Sequence, residues 1–317
     1  MHCAILSRLI LDDIHTKYEK RYNVLGGGGL YAAYGMRMVT RKAGMVIKHG
    51  PDFDPSTIPL DIKFDFQSVP YDTPHALNTY IDNHRSWSLL TDQWEPFKIE
   101  ISDFPVSWQF PCLHTMATID RMAQISSQFK GALIWEPNPD DLNLKGLYGM
   151  FCQVLKHAFI ASPNHMEALT ILGWSMPAID NDIEALITFF HTMAKHLSQG
   201  LHHIVLRCGP YGAIVHLSSG TSTHLPPYYT GTLVHQQPDD AIVDTTGCGN
   251  AFLGALAAYL GKHGVQQHNI LEGCIMGTVA SGMTLEQYGP PPIDSLPSFN
   301  ARLHRYRTTQ TNYELYT

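Results

Sequence analysis

From Ile119 onward, apolar positions switch between helical spacing and short continuous runs. The pattern predicts helices over Ile119–Phe129, Leu144–Lys156 and Asp182–Leu197, alternating with buried strands at Ala132–Trp135, Ala158–Ala161 and His203–Arg207. Helices alternating with apolar strands imply a parallel sheet with helices on its faces. Two more helices are expected at Gly249–Lys262 and His268–Leu285, and the polar tail after Phe299 is expected to be peripheral. At the other end, Cys3–Ile14 reads as one strand whose C-terminal end carries Asp12 and Asp13. A polar stretch, Lys17–Asn23, separates it from Gly26-Gly27-Gly28-Gly29, where a helix begins with Leu30 and Tyr31. Residues 50–110 are rich in Pro, Asp and aromatics, with short strands at Lys63–Val69 and Arg85–Leu90. They read as a lid or insertion rather than a core layer.

Composition narrows the classes. Hydrophobic residues make up 44% of the 317 positions and charged residues 15%, against about 25% charged in an average domain. That excludes a disordered chain. The net charge of −7 argues against direct nucleic-acid binding, which needs a basic face to neutralise phosphates. The longest apolar stretch, Ala251–Gly261, is short of the roughly 20 residues that a membrane span requires. The N-terminal apolar stretch is broken by Ser7 and Arg8 and runs into two acids, unlike a signal peptide. Six cysteines stand at 3, 112, 152, 208, 248 and 274 without a CxxC pair. They read as free thiols of a cytoplasmic protein. The 18 histidines lack the spacings of zinc sites and read as structural.

Candidate chemistry concentrates at Asp244-Thr245-Thr246-Gly247-Cys248-Gly249-Asn250, ahead of an apolar helical run. The first amides of a helix have no intrahelical acceptor, and the dipole adds positive potential. Glycines 247 and 249 let such a backbone curl round an anion; the same residues also fit an ordinary glycine-rich cap. Asn164-His165-Met166-Glu167 fits a capping box. Gly209-Pro210-Tyr211-Gly212, after the strand Val205–Arg207, fits a hairpin turn.

In combination these motifs resemble the ribokinase-like, or phosphofructokinase-B (PfkB), family of carbohydrate kinases. The family motif D-T-x-G-x-G-D is matched over 244–250 except at its last position, where this chain has Asn250. The glycine run 26–29, Asp12, the N-x-x-E at 164–167, the Gly209/Gly212 turn and the helix and loop over Ala280–Gly289 follow in the family's order. Within the family the chain looks most like a fungal branch related to the yeast maintenance-of-killer sugar-kinase-like proteins. The resemblance implies one α/β domain over 1–317 with a doubly wound, mostly parallel sheet, and a small β lid from about 13–24 and 63–110.

It also implies transfer of a phosphoryl group from ATP, with Mg2+, to a hydroxyl of a sugar-like or nucleoside-like molecule. The implied catalytic positions are Gly247, Cys248, Gly249 and Asn250. Asp12, Gly26, Gly27 and Tyr31 would meet the acceptor. Asn164, Glu167, Gly209, Gly212 and Thr245 would meet the nucleotide, with Glu167 holding Mg2+ through water and Asp244 a monovalent cation such as K+. A homodimer paired through the lid is compatible with it; a membrane role is not expected. Two departures stand out. An amide at 250 cannot take a proton as the family's Asp does, which implies a slow kinase or a nucleotide-binding pseudokinase acting through protein partners. Gly28 and Tyr31 replace the Lys and Asn that usually contact the sugar, which disfavours ribose.

Overall fold

Cys3 and Ile5 enter one apolar layer while Ala4 and Leu6 enter another, because successive side chains of a strand face opposite ways. The computed structural model describes residues 1–81, 84–178, 182–229, 242–292, 296–309 and 315–316. Their elements in chain order are β1 (Cys3–Leu6), β2 (Ile10–His15), β3 (Lys20–Gly26), α1 (Gly28–Val39), β4 (Ala43–His49), β5 (Lys63–Ser68), β6 (His75–Ile81), β7 (His84–Leu89) and β8 (Cys112–Ala117). Then come α2 (Ile119–Gln128), β9 (Ala132–Pro137), α3 (Leu147–Leu155), β10 (Ile160–Ala161), α4 (His165–Leu172), α5 (Ile183–Ser198), β11 (His203–Arg207), β12 (Ala213–His216) and β13 (Ser222–Leu225). The last are α6 (Cys248–His263), α7 (Ile270–Thr284), α8 (Leu296–Thr309) and β14 (Leu315–Tyr316). Side-chain caps start several helices: Thr118 accepts from Arg121 N ahead of α2, and Asp182 from Ala185 N ahead of α5, each satisfying an orphan amide of the first turn.

A large sheet runs in the order β14-β13-β12-β11-β10-β9-β8-β1-β4-β5. The span from β11 to β5 is parallel, and β12, β13 and β14 add antiparallel strands. Helices α1, α6, α7 and α8 contribute to the apolar layer on one face, and α2, α3, α4 and α5 to the layer on the other. The central strands are buried on both faces, which is why they read as continuous apolar runs. A second sheet, β3-β2-β6-β7, stands apart from the first. Among the described residues, no helix is long and apolar enough to cross a membrane, and the six cysteines are free thiols.

Three expectations are corrected. Cys3–Ile14 is two strands in different sheets, not one. The chain leaves the large sheet at Ser7–Leu9, where the Arg8 carbonyl accepts from Gly29 N at 3.1 Å. Lys63–Ser68 belongs to the large sheet, as its edge partner of β4. The small sheet takes 75–81 and 84–89 from the later part of the chain, and β3 supplies the exposed edge that looked like a polar linker. The tail is not peripheral: Phe299, Leu303 and Tyr306 of α8 are buried at helical spacing against the core, while residues 310–314 and 317 of that tail lie outside the described residues.

Candidate active site

A cleft of about 820 Å³ opens beyond the C-terminal ends of the parallel strands, the usual place for ligands in open α/β sheets. Ser7 and Arg8 follow β1, Met116–Thr118 end β8, and Asn138 follows β9; all line it. Thr246, Gly247 and Asn250 at the start of α6 also line it, with Gly27, Gly28 and Tyr31 at the start of α1. Asp12 of β2 and Trp87 of β7 bring in the small sheet.

The 244–250 segment is held by Asp244, which is buried. Its Oδ1 accepts from Thr246 N at 2.8 Å and Thr246 Oγ1 at 2.7 Å, and from the hydroxyl of Tyr80 on β6. These donors make Asp244 the residue that holds the turn. Gly247 then takes a left-handed φ of +75° and caps α6, its carbonyl accepting from Ala251 N at 2.9 Å. A Cβ at 247 would lie 2.0 Å from Cγ of Tyr31, so the Tyr31 ring is the floor of the loop. Tyr31 is 2% exposed, and burial pushes its hydroxyl well above the ordinary value. The amides of Cys248, Gly249 and Asn250 occupy the positions where a helix has donors to spare. Cys248, Gly249 and Thr245 do not line the cleft, although Thr246 does.

On the small-sheet side, Asp12 Oδ1 takes a hydrogen bond from Asn78 Nδ2 of β6 at 2.9 Å. Gly26 lies under Asp12: a Cβ there would sit 1.9 Å from Oδ2. Gly26 therefore makes room for Asp12 and does not itself line the cleft. The Arg8 guanidinium lies 4.1 Å over the Trp94 ring. Burial lowers its pKa to about 10, which leaves it charged at neutral pH.

Behind the cleft lies a cluster that the motif reading missed. Asn250 Nδ2 donates to Glu136 Oε2 at 2.7 Å. Glu136 Oε1 pairs with Arg207 Nη1 at 2.8 Å, and His114 Nε2 stands 3.6 Å from Oε2. Burial pushes the Glu136 carboxyl up, but Arg207 and His114 outweigh it and hold the group below the usual carboxylate range. The readable signal was a charged residue near the end of an otherwise apolar strand, Glu136 in Ala132–Pro137 and Arg207 in His203–Arg207.

Asn164 and Glu167 form the capping box of α4. Asn164 Oδ1 accepts from Glu167 N at 2.9 Å, and Glu167 accepts from Asn164 N at 2.8 Å and Nδ2 at 2.6 Å. Burial pushes the Glu167 carboxyl up, with Arg207 only partly opposing it. Both of its oxygens are engaged, and Arg207 Nη2 stands 3.6 Å away. Glu167 also lines the cleft, and a carboxylate with one bond to each oxygen keeps further acceptor capacity. Gly209 and Gly212 close the β11–β12 turn, with Gly212 N donating to Gly209 O at 3.1 Å. They lie outside the cleft lining but next to the capping box, since Asn164 bridges to Arg207.

No protein-family model matches the chain. An uncharacterized protein of Schizosaccharomyces pombe is 26% identical over 89% of this chain and 83% of its own length. Protein MAK32 of Saccharomyces cerevisiae is 27% identical over 90% and 85%. Ribokinase from Giardia lamblia superposes with a TM-score of 0.70 at 16% identity, covering 95% of this chain and 98% of that one. Ribokinase from Cryptococcus neoformans, solved with ADP, has a TM-score of 0.70 at 16% identity over 96% and 98%. Burkholderia thailandensis nucleoside kinase, solved with inosine, has a TM-score of 0.63 at 16% identity over 98% and 99%. The chain therefore has the ribokinase fold, and its curated relatives are fungal.

Proposed function

We propose that this protein is a cytoplasmic, ATP-dependent kinase of a small molecule, transferring a phosphoryl group to a hydroxyl of a sugar-like or nucleoside-like acceptor. One observation carries the reading: the start of α6 and Asp12 line one cleft at the C-terminal ends of the parallel strands. The amides after Gly247 receive the transferring group, because preorganised donors are worth most where charge develops. Asp12 orients an acceptor hydroxyl in the same cleft. Ribokinase-fold proteins solved with ADP and with inosine support the two ligand classes.

Asn250 positions rather than deprotonates. A carboxylate only accepts hydrogen bonds, so Glu136 fixes the Asn250 amide with Nδ2 inward. Oδ1 is left to accept from the acceptor hydroxyl. Loss of a general base typically costs about 10²–10⁴-fold, and phosphoryl transfer retains its electrostatic part. The expected enzyme is slow. The test is ATP consumption over a panel of sugars and nucleosides. A member that raises turnover of the wild type above that of Asn250→Ala supports the reading, and a panel without one refutes it.

The Asn250–Glu136 bond favours one second reading, a nucleotide-binding pseudokinase that acts through protein partners. It predicts ATP binding with no acceleration by any acceptor.

A further inference from the structure

We infer that the small molecule taken beside Asp12 carries an anionic group, a carboxylate or a phosphate, and that Arg8 is the residue that holds it. The inference deepens the acceptor reading above and rests on it for the place of the acceptor in the cleft.

Arg8 is fixed by the backbone around it. It stands in the short link Ser7–Leu9 between β1 of the large sheet and β2 of the small one. Its carbonyl accepts from Gly29 N at 3.1 Å, and a Cβ at Gly27 or Gly29 would come within 2.7 or 2.8 Å of that oxygen. Gly26, in the same run, makes the room under Asp12. One glycine run therefore seats both Arg8 and Asp12, and both line the cleft. The Arg8 guanidinium is laid over the Trp94 ring, 4.1 Å from its centre. Stacking uses the face of the group and leaves its N–H edge for an acceptor in the plane.

Among the described residues three cations line the cleft, Arg8, Lys98 and Arg121. Two of them are already served: Lys98 stands 3.5 Å from Glu100, and Arg121 bonds to Glu100 and to the Ile99 carbonyl. Arg8 is half-buried, and its guanidinium has no ion pair and no hydrogen-bond acceptor among the described residues. Glu95 and Asp140 are the carboxylates whose field reaches it. Both are exposed, where water and salt screen them, and neither closes on it. A partly buried cation without a partner is costly. Its fork of N–H donors matches the paired oxygens of a carboxylate or a phosphate. An acid group held there leaves the amides after Gly247 to the transferring phosphoryl group.

Calorimetry without nucleotide, in a buffer free of phosphate and carboxylate, tests this. The probes are glucose against glucuronate and glucose 6-phosphate, and inosine against inosine 5′-monophosphate. The wild type is expected to bind an acidic member about tenfold or more tighter than its neutral parent. Glucuronate against glucose 6-phosphate tells whether the acid is a carboxylate or a phosphate. In Arg8→Gln the preference for the acid is expected to fall below about threefold. Equal binding of acid and parent, or no binding of any acid, overturns the inference. So does a preference that survives Arg8→Gln, which would put the acid on the α6 amides instead. If Arg8→Gln does not fold, Arg8→Lys, which keeps the charge and loses the fork, takes its place; an unchanged preference there overturns the inference and a reduced one supports it. An acid that binds through Arg8 but never raises ATP consumption sinks the kinase reading and leaves this inference standing. A neutral parent phosphorylated as fast as its acid does the reverse.

Discussion

Asn250 Nδ2 donates to Glu136 Oε2 at 2.7 Å, so the position where the resemblance expects a base, at the start of α6, is bonded to a carboxylate on strand β9. Asn250→Asp would put two carboxylates at that distance, and such a pair holds one proton between them. The single substitution is therefore expected to add little turnover at neutral pH. Glu136→Gln combined with Asn250→Asp keeps the charge of the cluster and frees the new carboxylate. It is expected to raise turnover by about 10²-fold or more, read as ATP consumption with the best acceptor of the panel.

Gly247→Ala attacks the cradle itself. The left-handed φ of +75° and the Tyr31 ring 2.0 Å from the added Cβ are both unfavourable, and a non-glycine residue strained in this way costs about 1–3 kcal/mol. Urea denaturation should show that loss, and calorimetry should show ATP affinity falling as well. A variant that keeps full ATP affinity removes the loop from the account.

Asp12→Asn separates the two ends of the cleft. The carboxylate accepts from Asn78 at 2.9 Å and lines the cleft. A hydrogen bond to a charged group is worth about 1.5–3 kcal/mol, so if Asp12 holds the acceptor as proposed, the acceptor KM should rise about tenfold or more. ATP affinity should stay as it is, since the proposal gives Asp12 no contact with the nucleotide.

Tyr80→Phe loosens the link between the small sheet and the 244–250 loop. Its hydroxyl donates to Asp244 and lies 3.0 Å from Thr246 Oγ1. Asp244 keeps two donors from Thr246, so the fold should survive. Weaker binding of ATP and of the acceptor is expected, with melting temperature nearly unchanged.

Glu136 sets a pH signature. Its folded carboxyl is held below the usual glutamate range by Arg207 and His114 against the opposing push of burial. A depressed carboxylate stabilises the fold fully above its unfolded pKa and loses that contribution as pH falls through the folded one. Glu136→Gln leaves Arg207 short of a buried partner, which costs about 3–5 kcal/mol. The gap in melting temperature between wild type and variant should be full at pH 7 and narrow below pH ~4.5. A gap that is constant with pH contradicts an ionised Glu136.

Long helices were readable: α2, α5, α6 and α7 lie within a few residues of where they were expected, α2 and α5 from apolar faces that repeat over several turns and α6 and α7 from apolar runs too long for a strand. The sheet to which an edge strand belongs was less so. β5 was expected as a strand, but its half-exposed pattern carries no buried run to tie it to the large sheet, and β3 is mostly exposed and resembles a polar connection. α8 was missed because three buried residues, Phe299, Leu303 and Tyr306, are set among polar ones. In the site, the loop at 244–250 and the capping box at 164–167 were visible as local spacings. The Glu136–Arg207–Asn250 contacts were not, since they join three elements far apart in the chain and only the sheet order brings them together.

The central claim is that the amides following Gly247 receive a phosphoryl group. A crystal structure of the protein with a non-hydrolysable ATP analogue tests it most directly. The account predicts the terminal phosphate on the backbone amides of the 247–250 turn; an analogue bound elsewhere, or a turn occupied by protein side chains, contradicts it.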